Sequence, residues 1–310
     1  MTDSTNLDGR VYVVTGAASG LGLATAEALG ERGATVVVCD LGSEPHGESA
    51  DREPVAVAAD AVRAAGGEAV ESFGDVTDPD YVSSMVDRVA NECGRIDGAV
   101  NYAGFLRDDM SFSMPLENWQ AVVDVHLGGH FNLVKALGAH WRARHKAGEL
   151  DTQRSFVAVS SASARGSTSQ INYSAAKAGV LGLARTAARE LHQYDVRVNA
   201  MLPAAVTRMI DANVPEDVVE RLPRDALGPE KVAPLPVVLL SDRAVDVTGW
   251  TFAIAGDSVF TVSDPELLAE ATMDGGWTAD ALADALDDRL IGDEPRSKLE
   301  PGGLLSRVLE

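Results

Sequence analysis

Short apolar and β-branched runs alternate along this chain with longer stretches in which apolar residues recur every three or four positions. The short runs predict buried β-strands, and the longer stretches predict amphipathic helices. We expect strands at residues 10–15, 35–40, 68–74, 98–102, 155–160, 197–202 and 251–254, and helices at about residues 21–32, 54–65, 79–93, 116–144, 173–193 and 230–240. This alternation predicts an α/β fold with a single doubly wound parallel sheet of about seven strands.

One domain is predicted over residues 1–263, followed by a C-terminal extension over residues 264–310. Inside the domain, the proline-punctuated segment 207–236 is predicted to form a loop over a substrate pocket. The polar segment 41–54 is predicted to be a surface loop between the second strand and its helix. The extension has an amphipathic stretch at residues 279–290, which indicates packing on the domain or on a neighbouring subunit.

The charge balance excludes several classes of function. With 26 basic and 47 acidic residues, the formal net charge is −21, which disfavours binding to nucleic acids and to acidic membrane surfaces. An anionic ligand must therefore be held by local geometry such as backbone N–H groups. The two cysteines fit reduced thiols, and no apolar run reaches the roughly 18 residues of a membrane span. We expect a cytoplasmic protein without a metal site.

A glycine-rich turn follows the first predicted strand. Gly16, Gly20 and Gly22 stand between that strand and an amphipathic helix, in the spacing GxxxGxG. Backbone N–H groups there can receive a pyrophosphate, as in a Rossmann-type dinucleotide site, and Ser19 and Leu21 belong to the same turn. Three glycines alone also suit a plain structural turn.

The second predicted strand ends at Asp40, which is followed by Leu41. A carboxylate at this position accepts hydrogen bonds from a ribose 2′-hydroxyl and repels a 2′-phosphate. Ala18 and Ser19 beside the glycines carry no positive charge that would offset this repulsion. The sequence therefore favours NAD over NADP.

Two further segments follow the third and fourth strands, where ligands of open parallel sheets bind. Asp75 and Val76 follow the third strand, and Asp75 could meet the adenine amino group. The fourth strand leads into Asn101, Ala103 and Gly104, whose small residues would let a dinucleotide pass close to the backbone. Each segment taken alone could also be a simple turn.

The sharpest chemical signal is a tyrosine–lysine pair four residues apart on one helix. Tyr173 and Lys177 project from the same helical face, and Ser161 follows the fifth strand. Lowering a tyrosine pKa by about 2 units requires roughly 2.7 kcal/mol. An ammonium about 4 Å away supplies on the order of 4 kcal/mol, so Lys177 alone could make Tyr173 a general base. Ser161 would orient the substrate oxygen, with Ser160 as the alternative.

Together these segments resemble the short-chain dehydrogenase/reductase family through TGAASGLG, Asp75-Val76, NYAG, the Ser-Tyr-Lys set and VNAMLP over about residues 7–256. The resemblance implies the doubly wound α/β fold and the NAD-dependent oxidation of an alcohol. It also implies that Tyr173 and Lys177 contact the cofactor, that Lys177 binds the nicotinamide ribose, and that Thr207 with the backbone near Pro203 holds the carboxamide. A homodimer or homotetramer, formed through the helices at about 116–144 and 173–193, follows from the same resemblance.

A narrower similarity is to the (3R)-hydroxyacyl-CoA dehydrogenase units of peroxisomal multifunctional enzymes of type two and their bacterial relatives. This similarity implies oxidation of a 3-hydroxyacyl-CoA thioester to the 3-oxoacyl-CoA in fatty-acid or steroid side-chain degradation. A hydroxysteroid or polyketide-type oxidoreductase is the alternative within the same chemistry. A protein that senses NAD(H) without catalysis is a more remote alternative.

The chain departs from the family pattern at several positions. His126 stands where the family usually has a water-holding asparagine, so we expect it either to hold that water or to titrate near pH 6.5 as a catalytic proton relay. A buried histidine bonded to the backbone is the structural alternative. Ala204 replaces a glycine in the VNAMLP segment. Trp250 and Trp277 suit either an acyl pocket or core packing.

Overall fold

The computed structural model describes residues 5–44, 46–47, 50–207 and 225–291. These residues fall into two compact units, residues 5–261 and residues 262–291. The first unit is an α/β domain built on one sheet with the strand order β3-β2-β1-β4-β5-β6-β7-β8. Among the described helices, none is both long enough and apolar enough to cross a membrane.

All seven predicted strands are present, and the doubly wound fold is confirmed. Their bounds are Val11–Thr15 (β1), Thr35–Asp40 (β2), Glu68–Phe73 (β3), Gly98–Asn101 (β4), Arg154–Val159 (β5), Val196–Ala204 (β6) and Thr251–Ala255 (β7). These seven pair in parallel. An eighth strand, Ser258–Val262 (β8), was not predicted. Two residues join it to β7, and so short a connection requires an antiparallel pair.

The predicted helices are also present. Their bounds are Gly20–Gly30 (α1), Glu53–Ala65 (α2), Pro79–Cys93 (α3), Leu116–Val123 (α4), Gly129–Lys146 (α5), Ile171–Leu191 (α6) and Pro234–Leu240 (α7). The stretch predicted as one helix over 116–144 is interrupted by a π turn at Asp124–Gly128. In the second unit, the predicted amphipathic helix spans Ala279–Ala285 (α8) and continues as a π turn over Leu286–Ile291.

The sheet is packed on both faces by apolar side chains. Alternate residues of β1 point to opposite sides, because side chains alternate along a strand. Tyr12 and Val14 join the cluster under α1, α2 and α7, whereas Val11 and Val13 join the cluster under α3, α5 and α6. Burial on both faces explains why the parallel strands read as continuous apolar runs.

Strand order places the ligand site. The chain moves outward from β1 to β3 and then returns to pair β4 with the other side of β1. Loops leaving the two central strands therefore diverge to opposite faces and open a crevice at the carboxyl ends of β1 and β4. The glycine turn follows β1, and the NYAG segment follows β4.

Candidate active site

A cavity of about 910 Å³ opens at the carboxyl ends of the strands. Its walls include Ser161, Tyr173, Lys177 and His126, which were predicted as catalytic. The predicted cofactor-binding residues in its walls are Gly16, Ser19, Gly20, Leu21, Gly22, Asp40, Leu41, Asp75, Val76, Ala103, Gly104, Pro203 and Thr207. The fold thus brings together predicted residues from Gly16 to Thr207, which are far apart in the sequence.

Close packing dictates glycine in the turn after β1. Gly16 has a φ of +65°, and a Cβ there would lie 2.7 Å from the Ala103 nitrogen of the NYAG segment. At Gly22 a Cβ would lie 2.0 Å from the Gly16 carbonyl oxygen. Ser19 precedes α1 without a side-chain cap, so the first N–H groups of the helix face the cavity unpaired by that side chain. Such a helix end favours a pyrophosphate.

Asp40 joins the glycine turn to the end of β2. One carboxylate oxygen accepts a hydrogen bond from Ala18 N–H at 2.9 Å, and the other accepts one from Gly42 N–H at 2.7 Å. These bonds fix the carboxylate in the cavity wall. Its remaining lone pairs can accept ribose hydroxyls, as the sequence predicts for an NAD site.

The segment after β3 is held by a residue that sequence analysis missed. Asp75 accepts a hydrogen bond from Thr77 N–H at 2.8 Å, which forms the turn. The Asn132 side chain on α5 donates to the carbonyl oxygens of Val76, at 2.9 Å, and Thr77, at 3.2 Å. No local pattern marks Asn132, because its carbonyl partners lie 56 and 55 residues earlier in the chain.

Asn101 lies beneath the cavity and does not line it. The side chain is fully buried; its oxygen accepts hydrogen bonds from the Thr15 hydroxyl at 2.5 Å and from Ala103 N–H at 3.1 Å. These bonds tie the ends of β1 and β4 together. Asn101 therefore shapes the backbone of the cofactor segment from below.

Ser161 and Tyr173 both line the cavity, where the Ser161 hydroxyl favours the ionised form of Tyr173. Ser161 also accepts a hydrogen bond from Ser163 N–H at 3.2 Å. Ser160 is buried, and its hydroxyl donates to the Lys177 carbonyl at 2.7 Å, away from Tyr173. This geometry favours Ser161 over Ser160 as the serine that orients a substrate oxygen.

Lys177 is buried one helical turn after Tyr173. Its ammonium nitrogen donates to the Val159 carbonyl at 2.8 Å and lies 5.5 Å from the centroid of the Tyr173 ring. Burial lowers the pKa of Lys177 to about 7. Near neutral pH the side chain is therefore only partly protonated.

The expectation that Lys177 alone lowers the pKa of Tyr173 is wrong for the protein by itself. Burial raises the pKa of Tyr173, the Ser161 hydroxyl opposes that rise, and the negative charge of Asp108 adds to it. The expected stabilisation of the phenolate requires a fully charged ammonium. In the structure, burial lowers the pKa of Lys177 to about 7, so the side chain is only partly charged near neutral pH.

His126 lies in the π turn and is held on two sides. Its Nε2 donates to the Phe105 carbonyl at 2.9 Å, so the proton is assigned to Nε2 and Nδ1 is an acceptor. Within the described part of the chain, Nδ1 has no hydrogen-bond partner although it is buried. A Cβ at Gly104 would lie 2.0 Å from the His126 ring, so glycine is required below it.

The expectation that His126 titrates near pH 6.5 is wrong. Burial and the positive charge of Lys177 lower the pKa of His126 well below the usual value. The side chain is bonded to the backbone, as the structural alternative proposes. Its ring also lies beside Tyr173 in the cavity wall, so a water-holding role at Nδ1 stays a prediction.

A second buried histidine, His130, was not found from the sequence. Its Nε2 accepts a hydrogen bond from Val159 N–H at 3.1 Å, and its Nδ1 lies 2.5 Å from the His126 carbonyl oxygen. The spacing of four residues between His126 and His130 on one predicted helix was the available signal. The pairing of His130 with β5 is tertiary and has no local signature.

Gln170 is another wall residue that the sequence analysis missed. Its amide nitrogen donates to Asp108 at 2.8 Å, and its amide oxygen accepts from the Ser163 hydroxyl at 3.1 Å. These bonds join the segment after β4 to the turn that carries Ser161. Burial raises the pKa of Asp108.

The described residues of the segment 41–54 include exposed ones such as Glu44 and Asp51, as expected for a surface loop, but the segment also forms part of the cavity wall. Several of its residues line the cavity, including Leu41, Gly42, Ser43, Glu44 and Asp51. His46 contacts the opposite wall, because its carbonyl oxygen accepts a hydrogen bond from Arg107 at 3.1 Å. Phe105 packs so closely that a Cβ on Gly47 would lie 2.7 Å from its ring. The polar segment therefore forms part of the site.

The other sequence predictions concern the edge of the cavity. Of the predicted substrate loop 207–236, residues 208–224 lie outside the described chain. Val206 N–H, immediately before the loop, donates to the Leu227 carbonyl within it at 2.7 Å. Val206 and Leu227 both line the cavity.

Trp250 and Trp277 are exposed, so core packing is wrong for both, and Trp250 lies outside the cavity walls. No cluster of candidate metal ligands occurs in the described ranges.

Comparison with known proteins decides the family. The family described as "Enoyl-(Acyl carrier protein) reductase" matches residues 16–256, which include the glycine turn, Ser161, Tyr173 and Lys177. The chain belongs to the short-chain dehydrogenase/reductase family. It is therefore an oxidoreductase, and the predicted family membership is confirmed. Enzymes of this family typically use a nicotinamide dinucleotide, which the glycine turn and Asp40 fit.

Several curated relatives are similar in sequence. Hydroxyacyl-CoA dehydrogenase ChsB1 of Mycobacterium tuberculosis is 37% identical over 98% of this chain and 96% of the relative. Peroxisomal multifunctional enzyme type 2 of Mus musculus is 36% identical over 82% of this chain, which spans 32% of that longer protein. The 3-oxoacyl-[acyl-carrier-protein] reductase FabG of Thermotoga maritima is 34% identical over 82% of this chain and 99% of the relative.

Solved structures agree on the fold. A short chain dehydrogenase from Mycobacterium avium superposes with a TM-score of 0.80 at 35% identity, covering 91% of this chain and 94% of that chain. Carveol dehydrogenase from Mycobacterium avium, solved in complex with NAD, gives a TM-score of 0.70 at 28% identity over 80% of this chain and 97% of that chain.

Proposed function

We propose that this enzyme is an NAD-dependent dehydrogenase that oxidises the secondary alcohol of a 3-hydroxyacyl-CoA to the 3-oxoacyl-CoA. The observation that carries the proposal is that Ser161, Tyr173 and buried Lys177 line one cavity together with the glycine turn. Similarity to hydroxyacyl-CoA dehydrogenase ChsB1 over nearly the whole chain supports the substrate class.

The residues divide the chemistry among them. Ser161 holds the substrate hydroxyl through its own hydroxyl group, and Tyr173 takes the proton from that oxygen as general base. Lys177 supplies positive charge behind the phenol when protonated, which favours the phenolate. When bound, the nicotinamide ring supplies the hydride acceptor and a further positive charge.

The choice of NAD is supported by Asp40. Its carboxylate is fixed in the cavity wall by the Ala18 and Gly42 N–H groups. A 2′-phosphate next to this carboxylate would be repelled. The glycine turn would hold the pyrophosphate, and Thr207 with Pro203 would hold the carboxamide.

The phosphates of coenzyme A require a cation at the mouth of the cavity. Apart from buried Lys177, the basic side chain in the described walls is Arg107, whereas the acidic residues there are Asp40, Glu44, Asp51, Asp75 and Asp124. The Arg107 guanidinium lies 4.9 Å from the centroid of the Phe105 ring, which fixes its direction. We assign Arg107 as the contact for a coenzyme A phosphate.

A second candidate is reduction of a 3-oxoacyl thioester, the same chemistry in the opposite direction. Similarity to the FabG reductase of Thermotoga maritima favours it. A hydroxysteroid or polyketide-type alcohol is a third candidate that uses the same Ser161 and Tyr173. Non-catalytic NAD(H) sensing is disfavoured, because a binding protein needs no Ser–Tyr–Lys set.

We further propose that the enzyme is a cytoplasmic homo-oligomer. Cys39 and Cys93 are free thiols, which fits a reducing compartment. Leu116 on α4 and Phe131 on α5 are large apolar side chains that are exposed to solvent in the single chain. Their exposure supports pairing of these helices between subunits. Light scattering would measure the molar mass in solution and so distinguish a dimer from a tetramer.

The test is formation of NADH from a panel of alcohols with NAD and with NADP. The panel contains (3R)- and (3S)-3-hydroxyacyl-CoAs with straight-chain and steroidal acyl groups, together with free hydroxysteroids. We expect turnover of one thioester stereoisomer with NAD, and loss of turnover with retained NAD binding in Tyr173→Phe. Activity on free steroids alone would contradict the thioester assignment.

A further inference from the structure

His130 contacts none of the reacting groups, yet it joins two parts of the active site. It is fully buried on α5 and lies between the π turn and the end of β5. Phe156 of β5 packs edge to face against its ring, with centroids 6.4 Å apart. Its side chain is not part of the cavity wall. Its hydrogen bonds therefore act on the site through the backbone.

The hydrogen-bond pattern fixes a single form of the ring. A backbone N–H can only donate, so Nε2 of His130 accepts from Val159 and carries no proton. The proton is therefore on Nδ1, where it is donated to the His126 carbonyl at 2.5 Å. Asn101 Nδ2 lies 2.9 Å from the same Nδ1; because both nitrogens carry protons in this form, the approach is a packing contact and not a hydrogen bond.

A second bond ties His130 to the π turn that carries His126. A π turn shifts the backbone bonds from a spacing of four residues to a spacing of five, and Gly129 N–H donates to the Asp124 carbonyl in that longer spacing. Within this turn, the His126 carbonyl accepts a hydrogen bond from the His130 side chain. This bond holds the turn that presents His126.

The bond to Val159 fixes the other wall. Val159 N–H donates to His130, and the Val159 carbonyl accepts the hydrogen bond from the Lys177 ammonium at 2.8 Å. One residue thus links the two side chains. Its position sets where Lys177 is held beneath Tyr173.

We propose that His130 is a positioning residue, which holds the Val159 acceptor of Lys177 and the π turn of His126 in their active arrangement. This inference rests on the proposed roles of Tyr173 and Lys177. The titratable side chains that face His130 in the described structure are His126 on the adjoining turn and Lys177 on α6. Asn101 and Phe156 from the neighbouring strands are uncharged.

His130 does not titrate during turnover. Burial and the charge of Lys177 lower the pKa of His130 to about 3, so the ring stays neutral at working pH. A pH effect of its replacement therefore reports on Lys177 and Tyr173. When Val159 loses its hydrogen bond to His130, its carbonyl no longer holds the Lys177 ammonium in place. The positive charge then stabilises the Tyr173 phenolate less, so Tyr173 ionises at higher pH.

Three replacements separate the two bonds. His130→Gln keeps an acceptor at the Nε2 position for Val159 N–H, and His130→Asn keeps a donor at the Nδ1 position for the His126 carbonyl. His130→Phe retains the ring shape and loses both. His140→Asn changes a half-buried histidine on the same helix and is the matched control.

The experiment is the pH profile of kcat/KM for an alcohol that the wild-type enzyme oxidises. In His130→Phe, the ascending limb should move to higher pH by about one unit, the tenfold effect of losing a hydrogen bond to a charged group. His130→Gln should restore much of the shift, whereas His130→Asn should not, and His140→Asn should leave the limb in place. An unchanged limb in a folded His130→Phe protein overturns the inference.

A second measurement distinguishes this inference from the substrate proposal. Titration of the Tyr173 phenolate absorbance in the NAD-saturated protein, with Tyr173→Phe as the blank, requires no turnover. If no 3-hydroxyacyl-CoA is oxidised, the substrate proposal is wrong, and the absorbance still tests His130. A shift confined to thermal stability, with the same Tyr173 titration in every variant, would leave His130 with a structural role alone.

Discussion

The imidazole ring of His126 meets the phenol ring of Tyr173 edge to face, with centroids 4.9 Å apart and ring planes at 80°. The His126 ring is also bonded through Nε2 to the Phe105 carbonyl and packs over Gly104. A residue from the π turn therefore forms one side of the space in which Tyr173 acts. This contact makes the turn part of the active site.

Replacing His126 tests the importance of that contact. His126→Phe keeps an aromatic ring against Tyr173 but leaves the buried Phe105 carbonyl unpaired, which should cost about 1–3 kcal/mol of unfolding free energy. Loss of the Nδ1 acceptor and displacement of Tyr173 should lower kcat by up to about a hundredfold. Chemical denaturation and steady-state kinetics measure the two effects. Wild-type kcat in this variant would exclude a role for the imidazole.

The two adjacent serines give a matched pair. Ser161→Ala removes the hydroxyl that shares the cavity wall with Tyr173 and should lower kcat by about a hundredfold or more. Ser160→Ala removes a hydroxyl that donates to the Lys177 carbonyl, and should mainly cost about 1 kcal/mol of stability. Kinetics and thermal unfolding of both variants are the measurements. The reverse pattern would assign the catalytic role to Ser160.

Burial of Lys177 predicts a specific dependence of stability on pH. Its pKa is about 7 in the folded protein and 10.5 in the reference state, so the unfolded chain binds more protons between these values. The free energy of unfolding should therefore rise with pH across this window. Relative to Lys177→Met, the wild-type protein should gain stability from about pH 7 to about pH 9.

This comparison is made without cofactor, by denaturant titration at each pH. The upper limit avoids the buried Cys39 thiol, whose pKa burial raises from 9.0 to about 12 and whose contribution has the opposite sign. A constant stability difference between the two proteins across the window would mean that Lys177 is already charged and well solvated by polar partners.

Asp40 should control the choice between NAD and NADP. Asp40→Asn keeps an amide oxygen that can accept from Ala18 or Gly42 N–H but removes the negative charge. We expect kcat/KM with NADP to increase by about ten- to a hundredfold, since loss of one like-charge contact is worth 1.4–3 kcal/mol or about that factor. Activity with NAD should fall much less. An unaltered cofactor ratio would place the selectivity elsewhere in the cavity.

Arg107 should distinguish coenzyme A from the acyl group. Arg107→Ala should raise KM for a 3-hydroxyacyl-CoA by about tenfold, the effect of one charge-assisted phosphate contact. KM for the same acyl group on N-acetylcysteamine, which lacks phosphates, should not change. Arg189→Ala removes an equal charge from an exposed site on α6 and is the control. Equal increases in KM for both thioesters would show that Arg107 does not bind a phosphate of coenzyme A.

Local sequence was enough for the seven parallel strands, the glycine turn and the Tyr173–Lys177 pair, although it did not reveal β8. Continuous apolar runs can only be buried, and residues four apart on a helix share a face whatever surrounds them. For the same reason, the positions after strand ends predicted most of the cavity wall: parallel strands bring their carboxyl ends to one edge. These parts depend on the order of residues along the chain.

Burial and long-range pairing were decided by the tertiary structure. The sequence expected a charged Lys177 and a titrating His126, but enclosure lowers both pKa values because a low-dielectric interior disfavours charge. Asn101 lies under the cofactor segment, and His130 reaches Val159 across 29 residues of chain. A sequence pattern records which face of an element turns inward. It does not show which backbone group lies opposite that face, and this hydrogen-bond partner determines the role of each buried polar side chain.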